Sequence, residues 1–129
     1  MELAEQTIVI TGGASGIGAA LARRFAEEGP ANLVLADRNL DGARAVAQEV
    51  AAGVSGQCVP RQLDVGRDGA NEALVADVEN NVGPIDLFVA NAGIATGASE
   101  QADDGVWSSI WDINTMAHVR AAHALVPLW

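Results

Sequence analysis

Short apolar runs alternate along the chain with segments whose apolar residues recur at helical spacing. Thr7-Ile8-Val9-Ile10 is a β-branched run closed by Thr11-Gly12-Gly13, the pattern of a buried strand. Residues 16–29 carry Ile17, Leu21 and Phe25 at helical spacing, and Gly29-Pro30 stops that helix. Asn32-Leu33-Val34-Leu35-Ala36 reads as a second strand. A helix beginning at Asp41 follows, with Ala43, Val46, Ala47 and Val50 on one face and Gly53 closing it. Cys58 to Leu63 reads as a third strand. Asp68 is placed to cap a helix over 69–82 that turns Leu74, Val75 and Val78 inward, and Gly83-Pro84 ends it. Ile85 to Ala90 is a fourth strand, followed by a Gly/Ala/Ser-rich loop over 93–102. A long helix is expected from Asp103 to Val126, with Val106, Ile110, Ile113 and Ala117 facing the sheet and Pro127 at its end.

That order, βαβαβαβα, predicts a parallel sheet with helices on both faces. Right-handed crossovers then fix most of the topology, and the expected strand order is 3-2-1-4, with the first strand central and the fourth at an edge. No repeat, low-complexity tract or linker divides the chain, so it reads as one domain or a piece of one.

Composition narrows the class. Half of the 129 residues are hydrophobic and the polar ones are interspersed, which describes a globular chain. A formal net charge of −10 repels nucleic-acid backbones and anionic lipid, and no apolar run is long enough to span a bilayer. Met1-Glu2-Leu3-Ala4-Glu5 lacks the basic start of a secretory signal, so a cytoplasmic location is expected. One cysteine, Cys58, permits no internal disulfide and too few ligands for a zinc site, and it reads as a small buried side chain. No metal is expected at His118 and His123, which lie five residues apart and share a helix face poorly. Trp107 and Trp111, four apart, read as core or interface packing.

The chemistry gathers around Thr11-Gly12-Gly13-Ala14-Ser15-Gly16-Ile17-Gly18, between the first strand and the first helix. Glycines there allow a sharp turn, a close backbone approach to pyrophosphate and tight packing of the helix, whose amide-rich N-terminus favours an anion. Gly12, Ser15, Gly16, Ile17 and Gly18 are therefore candidate cofactor-binding positions. Asp37 ends the second strand, 19 residues past Gly18. A carboxylate at that place can accept hydrogen bonds from both hydroxyls of an adenosine ribose and repels a 2′-phosphate, which points to NAD rather than NADP. Arg38 beside it could stack on adenine, pair with a phosphate or stand in solvent.

Thr11-Gly12-x-x-x-Gly16-x-Gly18, Asp64-Val65, Asn91-Ala92-Gly93 and Asn114 fall in the order and spacing of the short-chain dehydrogenase/reductase family, which the chain resembles over nearly its whole length. The resemblance implies an α/β fold, a Rossmann-type doubly wound parallel sheet, here truncated after the fourth strand and its following helix. It implies hydride transfer between a nicotinamide cofactor and a small-molecule alcohol or carbonyl. It gives the adenine amino group to Asp64 and a backbone contact with the ring to Val65. Asn91, Ala92 and Gly93 would pass close to the cofactor, with Asn91 tying strands together. Asn114 would join the catalytic set, its main-chain carbonyl holding a water. Ala90 departs from the family, which more often has Asn before the triplet.

The family's proton donor is a Tyr in Tyr-x-x-x-Lys with an upstream Ser, and this sequence contains neither Tyr nor Lys. Residues 1–129 therefore read as the NAD-binding part of a Rossmann-type domain without its C-terminal catalytic part, inactive alone. The alternative is a catalytically inactive NAD-binding module or interaction fragment. An apolar fourth strand at a sheet edge and a final helix apolar on more than one face predict self-association, as a homodimer or homotetramer in the complete protein.

Overall fold

The computed structural model describes residues 2–97 and 99–129. Met1 and Ala98, one in the N-terminal reading and the other in the 93–102 loop, lie outside the described residues. Four parallel strands, β1 (Thr7–Thr11), β2 (Asn32–Asp37), β3 (Cys58–Gln62) and β4 (Leu87–Val89), form one sheet in the order β3-β2-β1-β4. This is the expected topology.

The period of two along a strand builds two cores from it. Ile8, Ile10, Leu33 and Leu35 point to one face, where α1 (Gly16–Ala26) and α2 (Leu40–Val50) cover them. Val9, Val34 and Ala36 point to the other, under α3 (Ala70–Asn81) and α5 (Ala117–Leu125). All seven of these strand side chains are fully buried. On α2 the expected Ala43, Val46, Ala47 and Val50 face inward, as do Leu74, Val75 and Val78 on α3.

Several elements differ from the sequence expectation. The first helix ends at Ala26, and its buried face is Gly18, Ala19, Ala22 and Ala26 rather than Ile17, Leu21 and Phe25. Small residues let the helix axis come close to the sheet; Leu21 and Phe25 then pack on the flanks, and Ile17 stays 73% exposed. Asp68 is fully exposed at its side chain and caps nothing; Gly69, in a left-handed conformation at φ 74°, occupies the N-cap of α3. The fourth strand is shorter than expected because its pairing with β1 is limited to Leu87, Phe88 and Val89.

The long final helix is a composite. It runs from α4 (Asp104–Trp111) through a π-helical turn (Asp112–Met116) into α5, and a 3₁₀ turn (Val126–Leu128) ends it. At the π turn Ala117 N–H donates to the Asp112 carbonyl, five residues back. Ile113, Ala117, Ala121 and Leu125 pack on the sheet, whereas Val106 and Ile110 are half-buried outside either core. Trp107 and Trp111 are 51% and 60% exposed, so core packing is ruled out for both. Among the described residues no helix is long and apolar enough to cross a membrane, and no group of three potential metal ligands forms.

Candidate functional site

A cleft of about 380 Å³ opens where the carboxyl ends of all four strands meet the loops that follow them. Parallel α/β sheets place their ligands there. Gly12, Ser15, Gly16 and Ile17 line it from the turn after β1, and Asp37 and Arg38 from the end of β2. Asp64 and Val65 come from the loop after β3, and Asn91, Ala92 and Gly93 from the loop after β4. The fold thus brings together residues separated by as many as 81 positions in sequence, all on candidate segments.

The glycine-rich turn is built by contacts that only a missing side chain allows. Gly18 does not line the cleft; it packs beneath the turn, where an added Cβ would collide with the Gly12 carbonyl oxygen. Gly16 has φ 53°, and a Cβ there would meet nothing within 4 Å. Its α-carbon borders open cleft, which is room for a ligand to approach the backbone. Ser15 is the N-cap of α1, yet its side chain caps no amide, and no acidic residue stands in the first turn. The dipole and N–H groups of that helix end remain directed toward the cleft.

Asp37 is part of the turn's scaffold. Its Oδ2 accepts the Ala14 N–H at 3.0 Å and its Oδ1 accepts the Asn39 N–H at 2.9 Å. Asn39 in turn caps α2 through Gly42 N–H at 3.0 Å. Asp64 likewise closes a local turn, accepting Gly66 N–H at 3.1 Å, while lining the cleft. The Val65 carbonyl is taken by Asn71 Nδ2 at 3.0 Å.

Thr11 and Asn91 join the tips of β1 and β4. Thr11 Oγ1 accepts the N–H groups of Asn91 and Ala92, both at 3.1 Å, and donates to the Val89 carbonyl at 3.4 Å. Asn91 Nδ2 donates to the Thr11 carbonyl at 3.0 Å. Asn114 lies in the π turn, outside the cleft lining, and reads the backbone of Ile94 on both sides. Its Oδ1 accepts Ile94 N–H and its Nδ2 donates to the Ile94 carbonyl, each at 2.8 Å. This pair of hydrogen bonds satisfies the polar side chain that a mid-helix Asn otherwise leaves competing with the backbone.

Leu63, Ile94 and Ile113 also line the cleft and were absent from the sequence candidates. Ile94 and Leu63 each adjoin a candidate motif in sequence, and Ile113 lies at a sheet-facing position of the final helix. Thr11, which opens the glycine motif, carries the strand junction. Cys58 is half-buried on β3 away from this cleft, and burial pushes its thiol up to about 11, which removes it as a nucleophile at neutral pH. His118 and His123 are both exposed on α5.

Comparison with known proteins agrees with this architecture. A family profile described as short chain dehydrogenase matches residues 6–129. Dehydrogenase/reductase SDR family member 4 of Oryctolagus cuniculus is 35% identical over 130 residues, covering 97% of this chain and 48% of that protein. L-sorbose reductase from Gluconobacter frateurii, solved with NADPH and L-sorbose, superposes with a TM-score of 0.84 at 32% identity, over 99% of this chain and 49% of that one. A metagenomic short-chain oxidoreductase solved with NADP has a TM-score of 0.87 at 29% identity, over 99% of this chain and 58% of that one. The chain spans about half the length of the curated relatives it matches. With the profile running over nearly every residue and the fold superposing on solved members at TM-scores of 0.84 and 0.87, the chain belongs to the short-chain dehydrogenase family.

Proposed function

We propose that the cleft binds a nicotinamide dinucleotide, NAD in preference to NADP, and that the whole protein moves a hydride between that cofactor and a small-molecule alcohol or carbonyl. The observation that carries this reading is the juxtaposition of an uncapped helix N-terminus, the open approach at Gly16 and the Asp37 carboxylate at the end of β2. The residues fit the group. Gly12, Ser15, Gly16, Ile17 and Gly18 form the pyrophosphate turn, Asp37 takes the adenosine ribose, and Asp64 and Val65 take adenine. Asn91 holds the strand tips in place, and Ala92 and Gly93 keep the floor low. When bound, the cofactor supplies the hydride acceptor or donor.

Ile17, Ile94 and Ile113 add apolar side chains to the lining of the cleft. Asn114 fixes Ile94, and by likeness to the family its main-chain carbonyl would hold a water for the proton path. The proton donor itself is not among these residues, since they include no Tyr and no Lys. The 129-residue chain alone is therefore expected to bind cofactor without turnover. The exposed Trp107, Trp111 and Val119 along α4 and α5 support a homodimer or homotetramer through that face.

NADP is the second reading, and two findings favour it. The two solved neighbours were captured with NADPH and NADP. Among the described residues, Arg38 and Arg67 carry no salt bridge, and both line an adjoining cleft of about 620 Å³ beside Asp64. Against it stands Asp37, whose charge opposes a 2′-phosphate. Calorimetric titration with each cofactor decides between them: tighter NAD binding supports the first reading, and tighter NADP binding overturns it.

A further inference from the structure

The turn that the proposed function gives to adenine is gripped from outside the cleft. Asn71, 1% exposed, donates to the Val65 carbonyl, and Gly66 N–H closes onto Asp64 Oδ1. The next carbonyl, that of Gly66, accepts from Arg120 Nη1 at 3.4 Å. The same guanidinium donates through Nη2 to Asp112 Oδ1 at 3.0 Å, and its Nε lies 3.9 Å from Asp68. Its side chain is only 18% exposed. Asp112 begins the π turn that carries Ile113 and Asn114. That turn also touches the loop directly: a Cβ on Gly66 would lie 2.8 Å from Ile113 Cγ1.

Arg120 therefore spans two parts of the site that the strands hold independently. A planar fork with several fixed donors can hold a carbonyl and a carboxylate at once, which a single ammonium cannot. We infer that Arg120 is a positioning residue that sets the Asp64–Gly66 turn and, through Asp112, couples occupation of the adenine end to the placement of Asn114. The inference rests on the cofactor reading above. It needs no contact between Arg120 and the ligand; Arg120 does not line the cleft.

The test uses AMP, which has the adenine half only, on the 129-residue chain. AMP affinity is measured by calorimetry, and amide exchange is followed at Ile94, whose N–H is held by Asn114. In the unmodified chain AMP should bind and slow exchange at Ile94. R120L should weaken AMP about tenfold and abolish the AMP-dependent slowing at Ile94. R120K, with charge but no fork, should behave as R120L does. Because loss of Arg120 can also cost stability, D112N and D112A form a second arm. D112N keeps an oxygen acceptor for the guanidinium and should retain the coupling, whereas D112A should lose it. Full AMP affinity and full AMP-dependent protection in R120L and D112A overturn the inference while leaving the cofactor reading intact. Failure of the unmodified chain to bind either AMP or NAD overturns the cofactor reading and this inference with it.

Discussion

Asp37 has two tasks that compete in any substitution. Its carboxylate faces the cleft, and both of its oxygens also hold backbone N–H groups of Ala14 and Asn39. Asp37→Ser removes charge and scaffold together, so NAD should bind about tenfold more weakly and the preference over NADP should narrow. Asp37→Asn retains an acceptor for one amide and should narrow the preference with a smaller loss of affinity; calorimetry with both cofactors reads this directly. At Gly16 the φ of 53° makes any side chain strained and the open cleft would receive it. Gly16→Val should reduce dinucleotide binding at least tenfold by blocking the backbone approach. Cys58 tests burial instead of binding. With its thiol pushed up to about 11, the proton is held by the fold and stability is lost as pH rises from 9.0 toward that value. Alkylation at pH 8 should be about a hundredfold slower than for an exposed thiol, and quantitative labelling within minutes would contradict the burial seen here. These residues differ in how readable they were. Gly12, Gly16 and Asp37 have properties few other residue types supply, so their positions in the sequence betrayed them. Leu63, Ile94 and Ile113 are walls that many apolar residues could build, and only tertiary placement marks them.

Elements were readable where their burial follows a period. The strands and the inward faces of α2 and α3 are single apolar sets at the expected spacing. The first helix departs from its periodicity because its bulky stripe, Ile17, Leu21 and Phe25, is not its buried face. Close approach to the sheet selects Gly18, Ala19, Ala22 and Ala26, which carry little hydrophobic signal. The π turn was also invisible, since no residue type announces a bond five residues long. Its reason is visible in three dimensions: it carries Ile113 against the Gly66 loop and Asn114 against Ile94. Asn114→Ala should leave both Ile94 backbone groups without their side-chain partner, speeding amide exchange at Ile94 about tenfold or more, with little effect on the strand cores. In the central strand, Ile10→Ala empties a fully buried site between β2, β4 and α1 and should cost about 3 kcal/mol in denaturant unfolding.

At the scale of the molecule, the alternation of strands and helices made the topology legible. The sheet has the 3-2-1-4 order expected of a Rossmann-type domain, and right-handed crossovers then decide which face each helix covers. Assembly follows from what that topology leaves outside. Among the described residues β4 pairs only with β1, and Leu87, Phe88 and Val89 are half-buried along its length. On α4 and α5, Trp107, Trp111 and Val119 are all more than a third exposed. The 129-residue chain should therefore self-associate at tens of micromolar, roughly 10⁻⁵ M, despite its net charge of −10. Sedimentation velocity checks this: a stable, folded monomer at that concentration would contradict it. Turnover is the complementary test of what these residues lack, and a panel of secondary alcohols and ketones should give no change in NADH absorbance. The central claim is that the turn between β1 and α1 is a dinucleotide site. Hydrogen exchange of the chain with and without NAD, read by mass spectrometry, tests it most directly. The account predicts saturable protection in peptides covering residues 12–18 and 63–66, and little change on α4. Protection absent from residues 12–18 at saturating NAD, or confined to α4 and α5, would contradict it.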